Sequence, residues 1–600
     1  MTVPQGSYDA IVIGAGPVGA SIAKVLTDRG KRVLILEAGR ASGLTYDGWR
    51  SYVDTYRSAL VKEPNSPYPP NPNAQSTYSQ DILNIQKRVP VISGYQVEKG
   101  PLSFASTYLR SLGGTSLHWL GTCPRMVPND FRMKTMYGVG VDWPLSYDEL
   151  QPYYCQAEWL MGVAANKEEQ GHFGIWFPED YDYPMERIPP SYSDRVYAEG
   201  AAKAKVRFGS REYGMSVTSL AQARNSIPRR GYTLKGAVGA QHVGQRCEGN
   251  ACCIPICPVQ AKYSALRTLN EIDQNFFTLV TQAVVSRLLI DPGGRIGGVE
   301  YKRYESEGSS QSTLGTATAT LYIVAAHAVE SAKLLLASGA ANSSDQVGRN
   351  LMDHPFFLTW ALNPTPVGAF RGPGQTSEIP SFRDGPFRRD FAAARIDLGN
   401  WGWDIATFPP NSNVQEAAAA NVFGKKLRHA LSDQVPRQLR VGYVLEQLPE
   451  AANRVTIGRD FVDPIGCYRP VIHYNVSDYT RAGMVAANKI SDSLFHAMGI
   501  GQANIFTHFT PQSPGYMTYR TESGQEVPLS FYGSGHHMGT HRIGISRTDS
   551  VTNRNSRSWD HENLYVVGCG GMPTVGASNP TLTAVAMALM AADDMLTQLG

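Results

Sequence analysis

The hydrophobic pattern near the start of the chain predicts a strand, a glycine turn, a helix and a second strand. The apolar run Tyr8–Ile13 leads into three closely spaced glycines, and a helical stretch continues to residue 26. A second apolar run, Val33–Leu36, ends on Glu37. With an acid closing the second strand, this order is typical of a dinucleotide-binding unit rather than of an ordinary parallel-sheet turn. The three glycines are Gly14, Gly16 and Gly19.

Each part of this unit has a physical role in binding a dinucleotide. Gly14 permits the tight turn, Gly16 lets backbone approach a pyrophosphate, and Gly19 lets the helix pack on the strand. The helix N-terminus offers N–H groups and a partial positive charge to the phosphates. Glu37 can accept hydrogen bonds from both ribose hydroxyls and would repel a 2′-phosphate, which argues against NADP. The motif does not choose between FAD and NAD.

Farther along, the chain mixes strand-like and helical segments and ends on another strand–glycine–helix pattern. Because such units lie near both ends, we expect a sheet assembled from both ends of the chain around an inserted domain. The helices are expected within residues 104–123, 142–163, 328–337 and 580–599. The buried strands are expected at residues 280–290, 317–326 and 564–567.

Composition and charge narrow the class of protein. A chain of 600 residues is too long for one hydrophobic core and indicates several domains. The content of 42% apolar and 18% charged residues is typical of a globular enzyme. A net charge of +3 argues against a nucleic-acid partner. The longest apolar stretch, near residues 583–592, is too short for a transmembrane segment. Residues 1–10 lack a signal-peptide pattern, so we expect a cytoplasmic protein, or a periplasmic or peripheral membrane protein exported with a partner subunit.

Four of the eight cysteines crowd into residues 247–257, and the other four are scattered. Such clustering in a large chain does not suit a disulfide framework. Soft thiolates suit iron–sulfur clusters, while reduced buried thiols or a zinc site are the alternative interpretations. The clustered residues are Cys247, Cys252, Cys253 and Cys257.

Motifs near the C-terminus make the functional class more specific. They are the segments at residues 535–544 (GHHMGTHRIG), 563–568 (NLYVVG) and 572–583 (MPTVGASNPTLT). Together with the N-terminal unit they resemble the glucose–methanol–choline (GMC) oxidoreductases nearly end to end. The resemblance implies an α/β fold: a Rossmann-like FAD-binding domain, as in p-hydroxybenzoate hydroxylase, with an inserted α+β substrate domain on a mostly antiparallel sheet.

The expected domain limits are discontinuous. The FAD-binding domain is expected to comprise residues 1–150, 240–358 and 530–600. The substrate-binding domain and its covering segments are expected to comprise residues 151–239 and 359–529. The cysteine loop at residues 247–257 is expected to form a separate feature.

Two branches of the family compete for this sequence. Residues 113–119 (GGTSLHW) and the ending at 568–584 look like pyranose oxidases. Residues 127–131, 137–140 and 341–355, which include MDHP, look like the catalytic subunits of bacterial FAD-dependent glucose and fructose dehydrogenases, as does the cysteine loop.

The resemblance assigns roles to individual residues. His536 occupies the position of the general base and Asn579 that of its polar partner, while a structural histidine in a glycine-rich turn is the alternative for His536. His537 and His541 are the alternative candidates for the base, and for His541 a role in packing or in contacts with the substrate is favoured over a role as base. His118 is expected beside the flavin, where pyranose oxidases carry FAD covalently through the 8α-methyl and the dehydrogenases generally do not. The other expected cofactor contacts are Gly113, Gly114, Thr115, Val285 (at the start of a strand), Gly568, Gly570, Pro580 and Thr581.

The dehydrogenase branch also implies a second redox centre. Cys247, Cys253 and Cys257 match the three ligands of a [3Fe–4S] cluster, whereas Cys252 has no clear counterpart. Glu248 stands where relatives can carry a cysteine that ties down a small companion subunit, so a covalent tie is in doubt. A cluster implies electron transfer to a cytochrome c or quinone-linked acceptor.

The combined interpretation is an FAD-dependent sugar dehydrogenase that oxidises a ring hydroxyl of a pyranose or glycoside at C1, C2 or C3. A pyranose or glycoside oxidase that makes hydrogen peroxide is the alternative. A flavin-binding scaffold without catalysis is a third hypothesis, and the retention of both His536 and Asn579 argues against it.

Overall fold

The computed structural model describes most of the chain. The described residues are 8–41, 45–51, 95–104, 106, 108–234, 244–249, 257, 259–305, 310–369, 371–403, 411–507, 509–511, 513 and 515–600. Cys252 and Cys253 lie outside them.

A five-stranded parallel sheet forms the nucleotide-binding side of the molecule. Its order is β22-β11-β1-β2-β7, so strands from both ends of the chain lie in one sheet, as predicted. Helix α1 (Pro17–Asp28) connects the first two strands. The strands are β1 (Tyr8–Ile13), β2 (Val33–Leu36), β7 (Phe277–Val280), β11 (Ala319–Val324) and β22 (Leu564–Val566).

An antiparallel sheet forms the second layer. Its order is β18-β12-β15-β14-β13-β6, with β21 also paired to β12. Strand β12 crosses the expected boundary at residues 358/359, and β21 joins this sheet from within the segment 530–600. The strands are β6 (Thr218–Ser219), β12 (Pro355–Leu362), β13 (Ser377–Ile379), β14 (Ala394–Gly399), β15 (Gln438–Leu445), β18 (Ile505–Phe506) and β21 (Tyr532–Gly533).

Smaller sheets and hairpins surround these layers. Strands β8, β9 and β10 form an antiparallel sheet, and Val285 lies inside β8 rather than at its start. Further groups are β16-β17-β3, β19-β20 and β4-β5. Their bounds are β3 (Val97–Glu98), β4 (Lys205–Phe208), β5 (Arg211–Gly214), β8 (Ala283–Ile290), β9 (Ile296–Arg303), β10 (Thr313–Ala317), β16 (Arg454–Thr456), β17 (Val471–His473), β19 (Met517–Arg520) and β20 (Glu526–Leu529).

The helices pack against the sheets and against one another. Helix α3 begins with a capping box in which Ser146 accepts from the N–H of Glu149 and the Glu149 carboxylate accepts from that of Ser146. The remaining helices are α2 (Met133–Tyr137), α3 (Tyr147–Met161), α4 (Lys167–Gln170), α5 (Tyr192–Ala201), α6 (Ala265–Leu269), α7 (Ala328–Ser338), α8 (Asn411–Ala419), α9 (Gly424–Gln434), α10 (Asp478–Ala497) and α11 (Thr581–Leu599).

Helix α11 packs against α1 and α3. Among the described residues, it is the helix that is long and apolar enough, by length and composition alone, to cross a membrane, so the expectation that the apolar stretch near residues 583–592 is too short does not hold for the whole helix. Because 67% of its apolar window is buried in the fold, its surroundings are those of a core helix.

The prediction of a helix within residues 104–123 is wrong. In the described part of this segment the chain forms only a 3₁₀ turn at Gly114–Leu117. Residues just before the turn pair instead with the segment that follows β2: the N–H of Leu112 donates to the carbonyl of Arg40 over 3.1 Å. Tertiary pairing at the mouth of the nucleotide unit therefore overrides the local helical pattern.

Candidate active site

The glycine turn after β1 is closely packed on one side and open on the other. Gly14 has φ +103°, and a Cβ there would lie 2.6 Å from the carbonyl oxygen of Ala325. A Cβ on Gly19 would lie 2.1 Å from the carbonyl oxygen of Gly14, so α1 packs directly on the turn. A Cβ on Gly16 would meet nothing within 4 Å. The open position is the one expected to face a pyrophosphate.

Glu37 fixes the shape of this turn as well as lining the cavity. Its two carboxylate oxygens accept from the backbone N–H groups of Ala15 (2.8 Å) and Gly39 (2.6 Å). Burial raises the pKa of Glu37 above 4.5, and these two hydrogen bonds oppose the shift. Because each carboxylate oxygen has a second lone pair, the side chain can still accept from ribose hydroxyls.

One cavity of about 410 Å³ joins the nucleotide unit to the C-terminal motifs. Gly19, Gly113 and Gly570 do not line it: a Cβ on Gly570 would lie 2.2 Å from the His541 ring, so that glycine serves packing. The expected site residues along its wall are Gly14, Gly16, Glu37, Gly114, Thr115, His118, Val285, His536, Gly568, Asn579, Pro580 and Thr581.

A directed chain of hydrogen bonds converges on His536. His354 Nε2 lies 3.1 Å from the carbonyl oxygen of Gly576, which can only accept, so Nε2 carries the proton. The unprotonated Nδ1 of His354 therefore accepts from Nδ1–H of His536 over 2.9 Å. His536 Nε2 is left with a lone pair and accepts from the amide of Asn579 over 3.0 Å. The neutral chain thus makes Nε2 of His536 the basic atom at the cavity.

The surroundings keep both imidazoles neutral. Burial lowers the pKa of His536 well below 6.5, and the nearby His354 and Arg395 lower it further. Burial lowers the pKa of His354 to about 3. His536 is therefore unprotonated at neutral pH, the state in which a general base can accept a proton.

The rival histidines have other partners or positions. Both ring nitrogens of His537 are engaged, Nδ1 with His327 over 3.1 Å and Nε2 with Ser106 over 2.8 Å. His541 is fully buried and does not line the cavity, and burial lowers its pKa to about 3. These placements favour His536 as the base.

Sequence reasoning missed two groups at this site. His354 lies in the MDHP segment, which the sequence pattern identifies only as a branch signature. Arg395 on β14 donates from Nη2 to Asn579 Oδ1 over 2.7 Å and carried no sequence signal. Next to it, burial raises the pKa of Asp397 to about 6, although Arg395 opposes the shift.

Comparison with known proteins places this arrangement in a family. Two family models, both described as GMC oxidoreductase, match residues 8–356 and 449–588. The chain belongs to the GMC oxidoreductase family. This GMC oxidoreductase is 30% identical over 605 residues to the fructose dehydrogenase large subunit of Gluconobacter japonicus, covering 99% of this chain and 98% of the relative. It is 22% identical over 685 residues to pyranose 2-oxidase of Lyophyllum shimeji, covering 100% and 93%.

A solved structure shares the fold. Pyridoxine 4-oxidase from Mesorbium loti matches with a TM-score of 0.57 and 17% identity, over 98% of this chain and 99% of that one. The GMC oxidoreductase family and fold are as the sequence motifs predicted. The protein is an FAD-dependent oxidoreductase that acts on CH–OH donors.

The described residues fit FAD. Gly16 is open towards the cavity at the N-terminus of α1, and a Cβ on the facing Gly114 would lie 3.9 Å from the Cα of Gly16. Bare backbone thus borders the space on two sides, as a pyrophosphate requires. A bound FAD, held by the backbone at Gly16 and Gly114, would supply the hydride acceptor for oxidation of an alcohol carbon. Among the chain's own groups at this cavity, His536 Nε2 can accept a proton and the amide of Asn579 can donate a hydrogen bond to an oxygen.

We expect the variant His354→Ala of this GMC oxidoreductase to reduce its flavin about 10–100-fold more slowly with substrate, because His536 loses the acceptor that fixes its tautomer. Anaerobic stopped-flow absorbance measures this rate. His354→Asn, which can still accept a hydrogen bond, should retain more activity. An unchanged rate in His354→Ala would show that the tautomer of His536 is set elsewhere.

The cysteine loop is only partly described. Cys247 and Cys257 are half-buried, and Cys253 lies outside the described residues. The described part of the chain holds no group of three or more metal-ligating side chains. The expected [3Fe–4S] ligand set of this GMC oxidoreductase therefore stays a prediction.

Proposed function

We propose that this protein is a sugar dehydrogenase that oxidises a ring hydroxyl of a pyranose or glycoside and passes electrons through a [3Fe–4S] cluster to an external acceptor. The observation that carries the proposal is the directed chain from Gly576 to Asn579, which leaves one basic nitrogen at the cavity beside one amide donor. Such a pair suits proton removal from a neutral alcohol.

The cavity wall near this pair suits a polyhydroxyl substrate. Gln375, Asp397 and Arg440 line it together with Trp401. An amide, a carboxylate and a guanidinium provide donors and acceptors for several hydroxyls, and an indole offers an apolar face to a sugar ring. The relatives named for fructose and pyranose oxidation agree with this substrate class.

Hydrogen bonds link the flavin side to the cysteine loop. Trp119, next to His118, donates from Nε1 to the carbonyl of Tyr263 over 2.8 Å. On the neighbouring stretch, the N–H of Asn225 donates to Ala261 O over 2.7 Å, and the N–H of Cys247 donates to Asn225 O over 2.8 Å. A cluster at this loop would therefore be connected through the segments around Asn225 and Ala261 to the flavin-side loop, which supports electron transfer between them.

A buried cation beside the loop supports an anionic centre there. Arg267 is 1% exposed and donates to Asn225 Oδ1 over 3.3 Å, while its Nε and Nη1 have no hydrogen-bond partner among the described residues. Glu271 favours the charged form of this guanidinium, but the two N–H groups without a hydrogen-bond partner remain costly to bury. Three thiolates and a cluster would supply negative charge at this position.

The iron–sulfur proposal predicts separable electron-transfer steps. The oxidised protein should contain about three iron atoms and give a paramagnetic signal. Cys253→Ser should leave flavin reduction by sugar near normal while reducing an artificial acceptor at least about tenfold more slowly. The matched control Cys252→Ser should behave as wild type. Iron content, electron paramagnetic resonance and the two half-reaction rates measure these effects.

Other outcomes would change the assignment. A protein without iron that rapidly makes peroxide from sugar and oxygen would be an oxidase, and one whose flavin no sugar bleaches would not be a sugar dehydrogenase. Product analysis with glucose, a β-glucoside and fructose would identify the oxidised carbon. Acid precipitation decides whether His118 binds FAD covalently, because a yellow supernatant indicates a free cofactor.

The proposal includes a partner. We infer a small companion subunit and a cytochrome c or quinone-linked acceptor, which agrees with the relative named as a large subunit. If the protein is exported with that partner, we expect it in the periplasm or at the membrane surface. If it has no such partner, we expect it in the cytoplasm. Cell fractionation with and without the co-expressed partner tests this.

A further inference from the structure

Arg395 joins the substrate sheet to the catalytic pair. It lies on β14, in the interior of the antiparallel sheet, and its side chain is fully buried. Its guanidinium donates from Nη2 to Asn579 Oδ1 over 2.7 Å. This hydrogen bond connects residues 184 positions apart in the chain.

The guanidinium determines which way the amide of Asn579 points. A guanidinium has donors and no acceptor, so only the oxygen of Asn579 can face it. The NH₂ group must then face His536 Nε2, 3.0 Å away, and the cavity. Without this constraint an amide can turn over, because its oxygen and nitrogen ends have nearly the same shape.

We propose that Arg395 is a positioning residue that fixes the amide of Asn579 with its NH₂ group towards His536 and the substrate hydroxyl. Two constraints then meet at one hydrogen bond. His354 sets the lone pair on His536 Nε2 from one side, and Arg395 sets the donor on Asn579 from the other. The inference rests on the proposed role of His536 and Asn579 in alcohol oxidation.

The charge balance around Arg395 indicates that its effect is geometric. Asp397 accepts from both Nη atoms of Arg395, and Glu378 Oε2 lies 3.4 Å from Nη1. Glu378 also lies 3.8 Å from the guanidinium of Arg383. Two buried carboxylates thus accompany two buried guanidinium groups. A bidentate partner on one side leaves Arg395 rigid enough to orient Asn579 on the other.

A double-mutant cycle tests the inference. Arg395→Gln should slow flavin reduction by substrate about 10–100-fold when Asn579 is present, the range expected for a hydrogen bond to a charged group. In the Asn579→Ala background the same change should alter the rate less than about twofold, because the group it positions is gone. If Arg395→Gln fails to bind flavin or to fold, Arg395→Lys replaces it in the same cycle.

A matched control separates positioning from loss of a buried charge. Arg388 is equally buried and is held by Asp130, Asp384 and Glu446. Arg388→Gln should act independently of Asn579→Ala, so that its effects on the rate multiply. If Arg395→Gln slows flavin reduction by the same factor with Asn579 and in the Asn579→Ala background, the inference is overturned.

A second measurement does not depend on turnover. In protein labelled with ¹⁵N-histidine, the Nε2 signal of His536 should move towards that of a free unprotonated nitrogen in Arg395→Gln, and His536→Ala assigns the signal. An unmoved signal would show that Asn579 still donates without Arg395. If Asn579→Ala alone leaves flavin reduction unchanged, the proposed role of the His536–Asn579 pair is wrong. That outcome differs from one in which Asn579→Ala slows the reaction but Arg395→Gln has the same effect with and without Asn579, which contradicts only the positioning role of Arg395.

Discussion

The variant His536→Ala should bind FAD and should reduce it with sugar about 10²–10⁴ times more slowly than the wild type, the range expected for loss of a general base. The reason is geometric: the hydrogen bonds from Gly576 through His354 place the proton of His536 on Nδ1 and leave Nε2 unprotonated at the cavity. Neither neighbouring histidine is placed to replace it, because the ring nitrogens of His537 contact His327 and Ser106 rather than Asn579, and His541 lies outside the cavity wall.

Anaerobic stopped-flow absorbance of the bound flavin gives this rate directly. His541→Ala is the control, because it removes a fully buried imidazole and leaves the His354–His536–Asn579 chain intact. It should lower thermal stability while the rate per bound flavin stays within a few-fold of wild type. A near-normal rate in His536→Ala would reassign the base and withdraw the tautomer argument.

Gly16→Ala should weaken FAD binding by at least about tenfold without destabilising the apoprotein. Gly16 has φ −73°, which alanine adopts without strain, and its Cβ would meet nothing within 4 Å. The space is free in the protein and is the space that the nucleotide needs. Gly19→Ala should behave differently, because its Cβ would lie 2.1 Å from the carbonyl oxygen of Gly14. It should cost about 1–3 kcal/mol of folding stability or more.

The two glycine variants serve as controls for each other. Titration with FAD gives the dissociation constant, and urea unfolding of the apoprotein gives the stability. Wild-type affinity in Gly16→Ala would mean that the dinucleotide does not approach the backbone at this turn. Wild-type stability in Gly19→Ala would contradict the close packing of α1 on β1.

The nucleotide unit was predictable because its chemistry is local in sequence. Gly14, Gly16, Gly19 and Glu37 occupy fixed positions between two buried strands, and the structure places them as the pattern indicates. The C-terminal motif was equally readable, since Gly568, Asn579 and the start of α11 follow one strand closely. Local backbone requirements leave few alternatives in such segments.

The substrate side was not predictable for a physical reason. In β14 the polar Arg395 and Asp397 alternate with the apolar Ala394, Ile396 and Leu398, a pattern typical of a strand with one face in water. In the structure all six residues of β14 are buried, because the polar face is turned to the cavity and the catalytic pair. Periodicity shows that two faces differ and does not show what covers the polar one.

The order of strands in the parallel sheet has a consequence for biosynthesis. Strand β1 is made more than 500 residues before β22 (Leu564–Val566), which pairs with its neighbour β11, and α1 packs against the equally distant α11 (Thr581–Leu599). The parallel sheet therefore cannot be completed until β22 and α11 have been synthesised. Its apolar strand edges stay exposed during translation, and chaperones that shield them should raise the yield of soluble protein during expression.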